Sequence, residues 1–94
     1  MNKKIAAIES AIEAEFPETR LEYRNADGMH SFHSTILGKE KCLSFGEDTF
    51  EGQNADALVD LIDEHRVFDI FRRTEGPLHL MISGHGMTRL HTPG

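Results

Sequence analysis

The chain has 94 residues and a mass of 10.6 kDa, and 23 of its residues are Leu, Ile, Val or Phe. That is enough for one modest core and too many for a disordered chain. No apolar run approaches the roughly 18 residues of a membrane span, no secretory apolar region follows Lys3 and Lys4, and the lone cysteine, Cys42, excludes an internal disulfide or a Cys-rich zinc site. The expectation is a single α+β domain over residues 1–94, cytoplasmic, with no contact to a membrane.

Residues 2–16 predict an amphipathic helix, because Ile5, Ile8, Ile12 and Phe16 recur on one stripe and Pro17 stops the pattern. Ala7, Ala11 and Ala14 give it a second, small-residue face. Residues 19–47 predict a three-stranded antiparallel meander: Thr19–Asn25, Met29–Leu37 and Lys41–Phe45, with turns at Ala26-Asp27-Gly28 and Gly38-Lys39-Glu40. Gly46 to Gln53 predicts an acidic, Gly-bounded loop with Phe50 folded back as an anchor.

Asn54 predicts the N-cap of a second helix with Leu58 and Ile62 on its apolar side. The run Val67-Phe68-Asp69-Ile70-Phe71 either continues that helix to Arg72 and Arg73 or forms a strand hairpinned onto Leu78–Ile82. Propensity favours continuation. Leu78–Ser83 predicts a strand, Ser83-Gly84-His85-Gly86 a tight turn, and Met87–His91 a short strand before a loose tail at 90–94. The predicted order is α-β-β-β-α-β, with one more strand allowed, in which two helices pack an antiparallel sheet. The predicted core comprises Ile5, Ile8, Ile12, Phe16, Leu21, Tyr23, Phe32, Ile36, Leu43, Phe45, Leu58, Ile62, Leu80 and Ile82.

The first five elements, α-β-β-β-α, follow the order of double-stranded RNA-binding domains, but the chemistry does not. Such a domain carries basic residues at the start of its last helix, where this chain has Asp56, Asp60, Asp63 and Glu64.

Six histidines invite a metal reading, which the spacing opposes. His30 and His33 lie three apart on a predicted strand and so point to opposite faces. No metal or other cofactor is therefore expected, nor a gain in thermal stability with zinc. Ser83-Gly84-His85-Gly86 lacks the pattern of a nucleophile elbow. Cys42, between Lys41 and Leu43 and with Lys39 nearby, could have a lowered pKa, but a small buried thiol is the commoner situation. The paired carboxylates Glu9 with Glu13, Glu47 with Asp48, and Asp60 with Asp63 and Glu64 fall on predicted exposed positions. The chain does not read as an enzyme.

Charge distribution carries the sharpest signal. Sixteen acids against ten Lys and Arg give a net of −6. Residues 1–64 hold fourteen acids and six bases, whereas residues 65–94 hold two acids and four bases. From Glu47 to Glu64 there are seven acids (Glu47, Asp48, Glu51, Asp56, Asp60, Asp63 and Glu64) and no Lys or Arg. On a helix Asp56, Asp60, Asp63 and Glu64 fall on one side. Such a stripe suits a basic protein surface and repels nucleic acid.

The expected function is a non-catalytic binding protein that blocks or regulates a partner with a basic surface, itself a nucleic-acid-binding protein or complex. This size and charge are those of small acidic inhibitors from phages and mobile elements, anti-CRISPR proteins and nucleic-acid mimics included. That analogy is one of class. Ser31, His33, Thr35, His79 and Met81 form the second-choice partner face, and a homodimer is compatible with either. The alternative is a small metal- or ligand-binding protein built on the histidines.

Overall fold

In the computed structural model, which describes residues 2–36 and 38–90, four helices pack on a five-stranded sheet. Helix α1 (Lys3–Glu15) is started by Asn2, whose side chain accepts from the backbone N–H groups of Lys4 and Ile5. Strands β1 (Leu21–Ala26), β2 (Met29–Ile36) and β3 (Lys39–Gly46) follow as the expected meander. The β1–β2 hairpin closes on Asp27 and Gly28, both at positive φ (56° and 72°). A two-residue turn between twisted strands demands that conformation, and Asp-Gly supplies it. The sequence reading began β1 two residues early and took Lys39 and Glu40 as turn, whereas both pair within β3.

Three departures lie in the second half. The expected acidic loop is a short helix, α2 (Glu47–Gly52), with Phe50 buried as the foreseen anchor. The next helix, α3 (Ala55–Glu64), starts where expected, with Asn54 Oδ1 accepting from the Ala57 N–H at 2.8 Å. It does not continue through Val67. Arg66 takes a left-handed conformation (φ 53°, ψ 41°) and a separate helix, α4 (Val67–Arg73), begins after it. Finally, β4 (Leu78–Ser83) runs parallel to β3, and the additional strand, β5 (Gly86–Leu90), pairs antiparallel with β4. The sheet order is β1-β2-β3-β4-β5. The sheet is therefore mixed rather than wholly antiparallel, because parallel neighbours need a long crossover and α2, α3 and α4 form it. The tail at 91–94, including His91, lies outside the described residues.

The core lies between the helices and one face of the sheet. Ile8, Ile12, Leu58, Ile62, Val67 and Phe71 meet Phe32, Ile36, Leu43, Phe45, Leu78, Leu80 and Ile82 there. The predicted members Ile5, Phe16, Leu21 and Tyr23 are only half-buried at its rim, and Phe50, Val67, Phe71 and Leu78 join it.

Lys41 falls on this apolar face and is 2% exposed. Its ammonium reaches out to donate to the carbonyls of Thr74 (2.6 Å) and Gly76, closing the turn between α4 and β4. Burial, and secondarily the charges of Arg89 and Lys39, pull its pKa below the ordinary lysine value.

Loss of a side-chain cap costs about 0.5–2 kcal/mol. Asn54→Ala is thus expected to lower the unfolding free energy by about 1 kcal/mol, read by urea denaturation. An unchanged midpoint would show that α3 does not depend on its cap.

Candidate functional site

The seven acids of the sequence reading are all exposed. Glu47, Asp48 and Glu51 belong to α2, and Asp56, Asp60, Asp63 and Glu64 to the side of α3 that faces away from buried Leu58 and Ile62. Among the described residues none of the seven is ion-paired with a Lys or Arg. Other acids are paired: Glu22 holds Arg24 at 3.1 Å, and Glu15 holds Arg72. Like charges at i and i+4 repel by a few tenths of a kcal/mol per pair. Along α3, Asp56, Asp60 and Glu64 therefore sit in an order that helix stability alone would not select. Only Asp56, in the first turn, gains from the helix dipole.

The five residues of the second-choice face share the sheet surface opposite the helices, as the period of two requires. Ser31, His33 and Thr35 alternate along β2, and His79 and Met81 along β4. Between them β3 contributes Glu40, Cys42 and Ser44, which the sequence reading did not assign to this face although the same alternation places them there. The Ser31 and Ser44 hydroxyls lie 2.7 Å apart, and Ser44 Oγ lies 2.6 Å from His79 Nε2. Cys42 Sγ is 3.9 Å from His33 Nε2, and His33 Nδ1 is 3.5 Å from Glu40 Oε1.

This Cys–His–carboxylate order has the outline of a nucleophile with its base, yet the thiol is held out of use. Cys42 is 3% exposed, and burial pushes its pKa up to about 11. Lys41, invoked to lower that value, points to the opposite face of the sheet. At neutral pH the group is a protonated, enclosed thiol, the form with little nucleophilicity. Ser44, fully buried, is equally shut off from a substrate.

His79 titrates within this network. Burial, and then the charge of a protonated His33, hold its pKa below the ordinary 6.5, with Glu40 pulling the other way. Between the ordinary value and the lowered one, the unfolded chain binds a proton that the folded chain does not. The stability contributed by neutral His79 is therefore complete above about pH 6.5 and lost as pH falls through the lowered value. Denaturation at pH 7 and pH 5 should show a larger loss for the wild type than for His79→Gln, and equal losses would remove His79 from the account.

On the helix face, His30 and His33 diverge as predicted, but His30 is not alone. Its ring is 7% exposed and stacks on Phe50 with centroids 3.9 Å apart. Its Nδ1 lies 2.5 Å from the Tyr23 hydroxyl, and its Nε2 is buried without a hydrogen-bond partner, the one such side-chain atom among the described residues. An orphaned buried polar atom costs about 1–3 kcal/mol. A ring nitrogen of His30 and one carboxylate oxygen each from Glu47 and Glu51 lie within 4.8 Å of one another. Helix α2 creates this meeting, since Glu47 and Glu51 are one turn apart on it. Lys4 holds α2 in place, donating to the carbonyls of Phe50 (2.8 Å) and Glu51 (3.0 Å), so its ammonium is engaged by backbone and not by either carboxylate.

The Ser83-Gly84-His85-Gly86 turn is self-contained. Ser83 Oγ accepts from the His85 N–H and donates to the Gly86 carbonyl, and Gly86 adopts a φ of 107°. It lines an open groove with Glu47 and Asp48 but presents no nucleophile–base pair. No helix is long and apolar enough to cross a membrane among the described residues. No family model matches the chain, and no similar protein is found among the curated proteins or the solved structures.

Proposed function

We propose that this protein is a non-catalytic binding protein that acts in the cytoplasm. It docks the acidic surface of α2 and α3 onto a basic surface of a partner protein and thereby blocks or regulates it. The observation that carries this reading is the set of seven exposed acids on two consecutive helices, unpaired with Lys or Arg among the described residues. Carboxylates so arranged present negative charge much as a phosphate backbone does. A partner that binds nucleic acid offers the matching field of Lys and Arg. Small acidic inhibitors of phages and mobile elements, anti-CRISPR proteins among them, are the class with this size and charge. The burial of Cys42 and Ser44 supports a role without covalent chemistry.

The test is capture from lysate on immobilised protein at low and high salt, with the Asp60→Lys/Glu64→Lys variant alongside. Basic proteins retained by the wild type at low salt, released at high salt and not retained by the variant support the reading. Retention that ignores both salt and variant overturns it. Arg89→Glu is the charge-reversal control. Arg72 is unsuitable for that purpose, because it joins α4 to α1 through Glu15 and lies over the Phe16 ring.

A further inference from the structure

We infer that His30, Glu47 and Glu51 form a binding site for one divalent transition cation of the zinc type. The inference shares Glu47 and Glu51 with the proposed partner surface, but it does not rest on that reading: two independent observations carry it. One is the convergence of an imidazole nitrogen and two carboxylate oxygens within 4.8 Å. The other is that His30 Nε2 is buried and has no hydrogen-bond partner, while the opposite ring nitrogen is engaged by Tyr23.

That division of labour is the one a metal-binding histidine needs. A ligating imidazole presents one nitrogen as a lone pair, and its other N–H is given to an outer partner that fixes tautomer and ring orientation. Tyr23 supplies that partner at 2.5 Å, and stacking on Phe50 fixes the ring plane. Glu47 and Glu51 are exposed and unpaired among the described residues, so their charge is free to meet a cation.

Zinc holds nitrogen and oxygen donors at about 2.0–2.2 Å, which puts tetrahedral donors about 3.4 Å apart. Closing from 4.8 Å asks the two solvent-facing carboxylates to turn inward by about 1 Å, well within rotamer freedom on a helix surface. Three protein donors leave a fourth position for water. The mixed nitrogen–oxygen set favours zinc over calcium or magnesium, which prefer oxygen alone. The sequence reading expected no zinc response because His30 and His33 diverge. The divergence is real, but the carboxylates that replace the second histidine come from α2, a helix that the sequence did not reveal.

Isothermal titration with zinc chloride is expected to show one ion per chain. In thermal melts, free zinc about a hundredfold above its Kd should raise the midpoint by about 10–20 °C, reversed by chelator, while calcium chloride at the same concentration should not. Glu47→Gln with Glu51→Gln, two exposed changes that leave the core intact, should weaken zinc binding more than a hundredfold. Tyr23→Phe, which touches only the outer partner, should weaken it about tenfold. His33→Asn, on the opposite sheet face, should bind zinc as the wild type does. Absence of stoichiometric binding, undiminished binding by the double Gln variant, or loss of binding with His33→Asn would each overturn the assignment. The last outcome would move the ion to the Cys42 side.

Discussion

Asp60→Lys combined with Glu64→Lys is expected to abolish binding to a basic partner and to leave the fold intact. Both residues are exposed and unpaired with bases among the described residues, so neither reversal breaks a contact within the protein. The change turns the i,i+4 pair at positions 56 and 60 from repulsive to attractive, worth a few tenths of a kcal/mol, while positions 60 and 64 remain alike in charge. It also places a cation in the last turn of α3, where the helix dipole favours it and Glu64 does not. Stability should therefore hold or rise slightly. At the interface the same exchange sets two positive charges against Lys and Arg. Truncating one side of a close charge pair costs about 2–5 kcal/mol, and reversal costs more. Binding at moderate salt should fall by at least a hundredfold, read by titration against the captured partner, with an unchanged melting midpoint as the control. A variant that folds and binds at full strength would make the stripe a solvated face. The contact would then be sought on the sheet surface opposite the helices, at His33, Thr35, His79 and Met81, Ser31 being buried there.

The parts of this fold legible in the sequence are those whose cause is local. Asn54 announces α3 because a cap and the helix it starts are neighbours, and Asp27-Gly28 announces a hairpin because the turn itself needs positive φ. The alternation of Leu78, Leu80 and Ile82 likewise gives β4 its bounds and its buried face. What was not legible is held by distant residues. Helix α2 is too short to form by its own propensity and is bounded by glycines. Phe50, packed in the core, and Lys4, reaching across from α1, hold it in place. The break at Arg66 carries no glycine to mark it, so Val67–Phe71 reads as a continuation. Lys41 reads as exposed until the turn at Thr74 and Gly76 is seen to take its ammonium.

The candidate sites divide along the same line. The acidic stripe of α3 follows from sequence plus helical period, and all its members are where that arithmetic puts them. The cluster of His30, Glu47 and Glu51 depends on α2 and could not be read from spacing. The Cys42, His33 and Glu40 group could have been, since β2 and β3 pair in a register that the Gly38 turn nearly fixes.

Ile12→Ala is expected to lower the unfolding free energy by about 2–4 kcal/mol, within the range of buried Ile-to-Ala changes. Ile12 is 1% exposed and belongs to the cluster in which α1 meets α3 and the sheet. Removing it deletes the transfer energy of the lost carbons and leaves a cavity between elements that pack on several sides and so cannot easily collapse. Domains of this size have a total stability of about 5–14 kcal/mol, so the loss is a large share and should move the melting midpoint by about 10 °C or more. Ile5→Ala, on the same stripe but only half-buried at the rim, should cost clearly less. The contrast matters because helix propensity alone would make either change favourable, Ala being the better former. If Ile12→Ala costs no more than Ile5→Ala in urea denaturation, α1 is not packed by the face that its spacing and the core both assign. If the order holds, the helical period of Ile5, Ile8, Ile12 and Phe16 is what seats the first helix on the sheet. That seat also carries Lys4 to the carbonyls of α2, so the acidic surface and the His30 cluster inherit their positions from it.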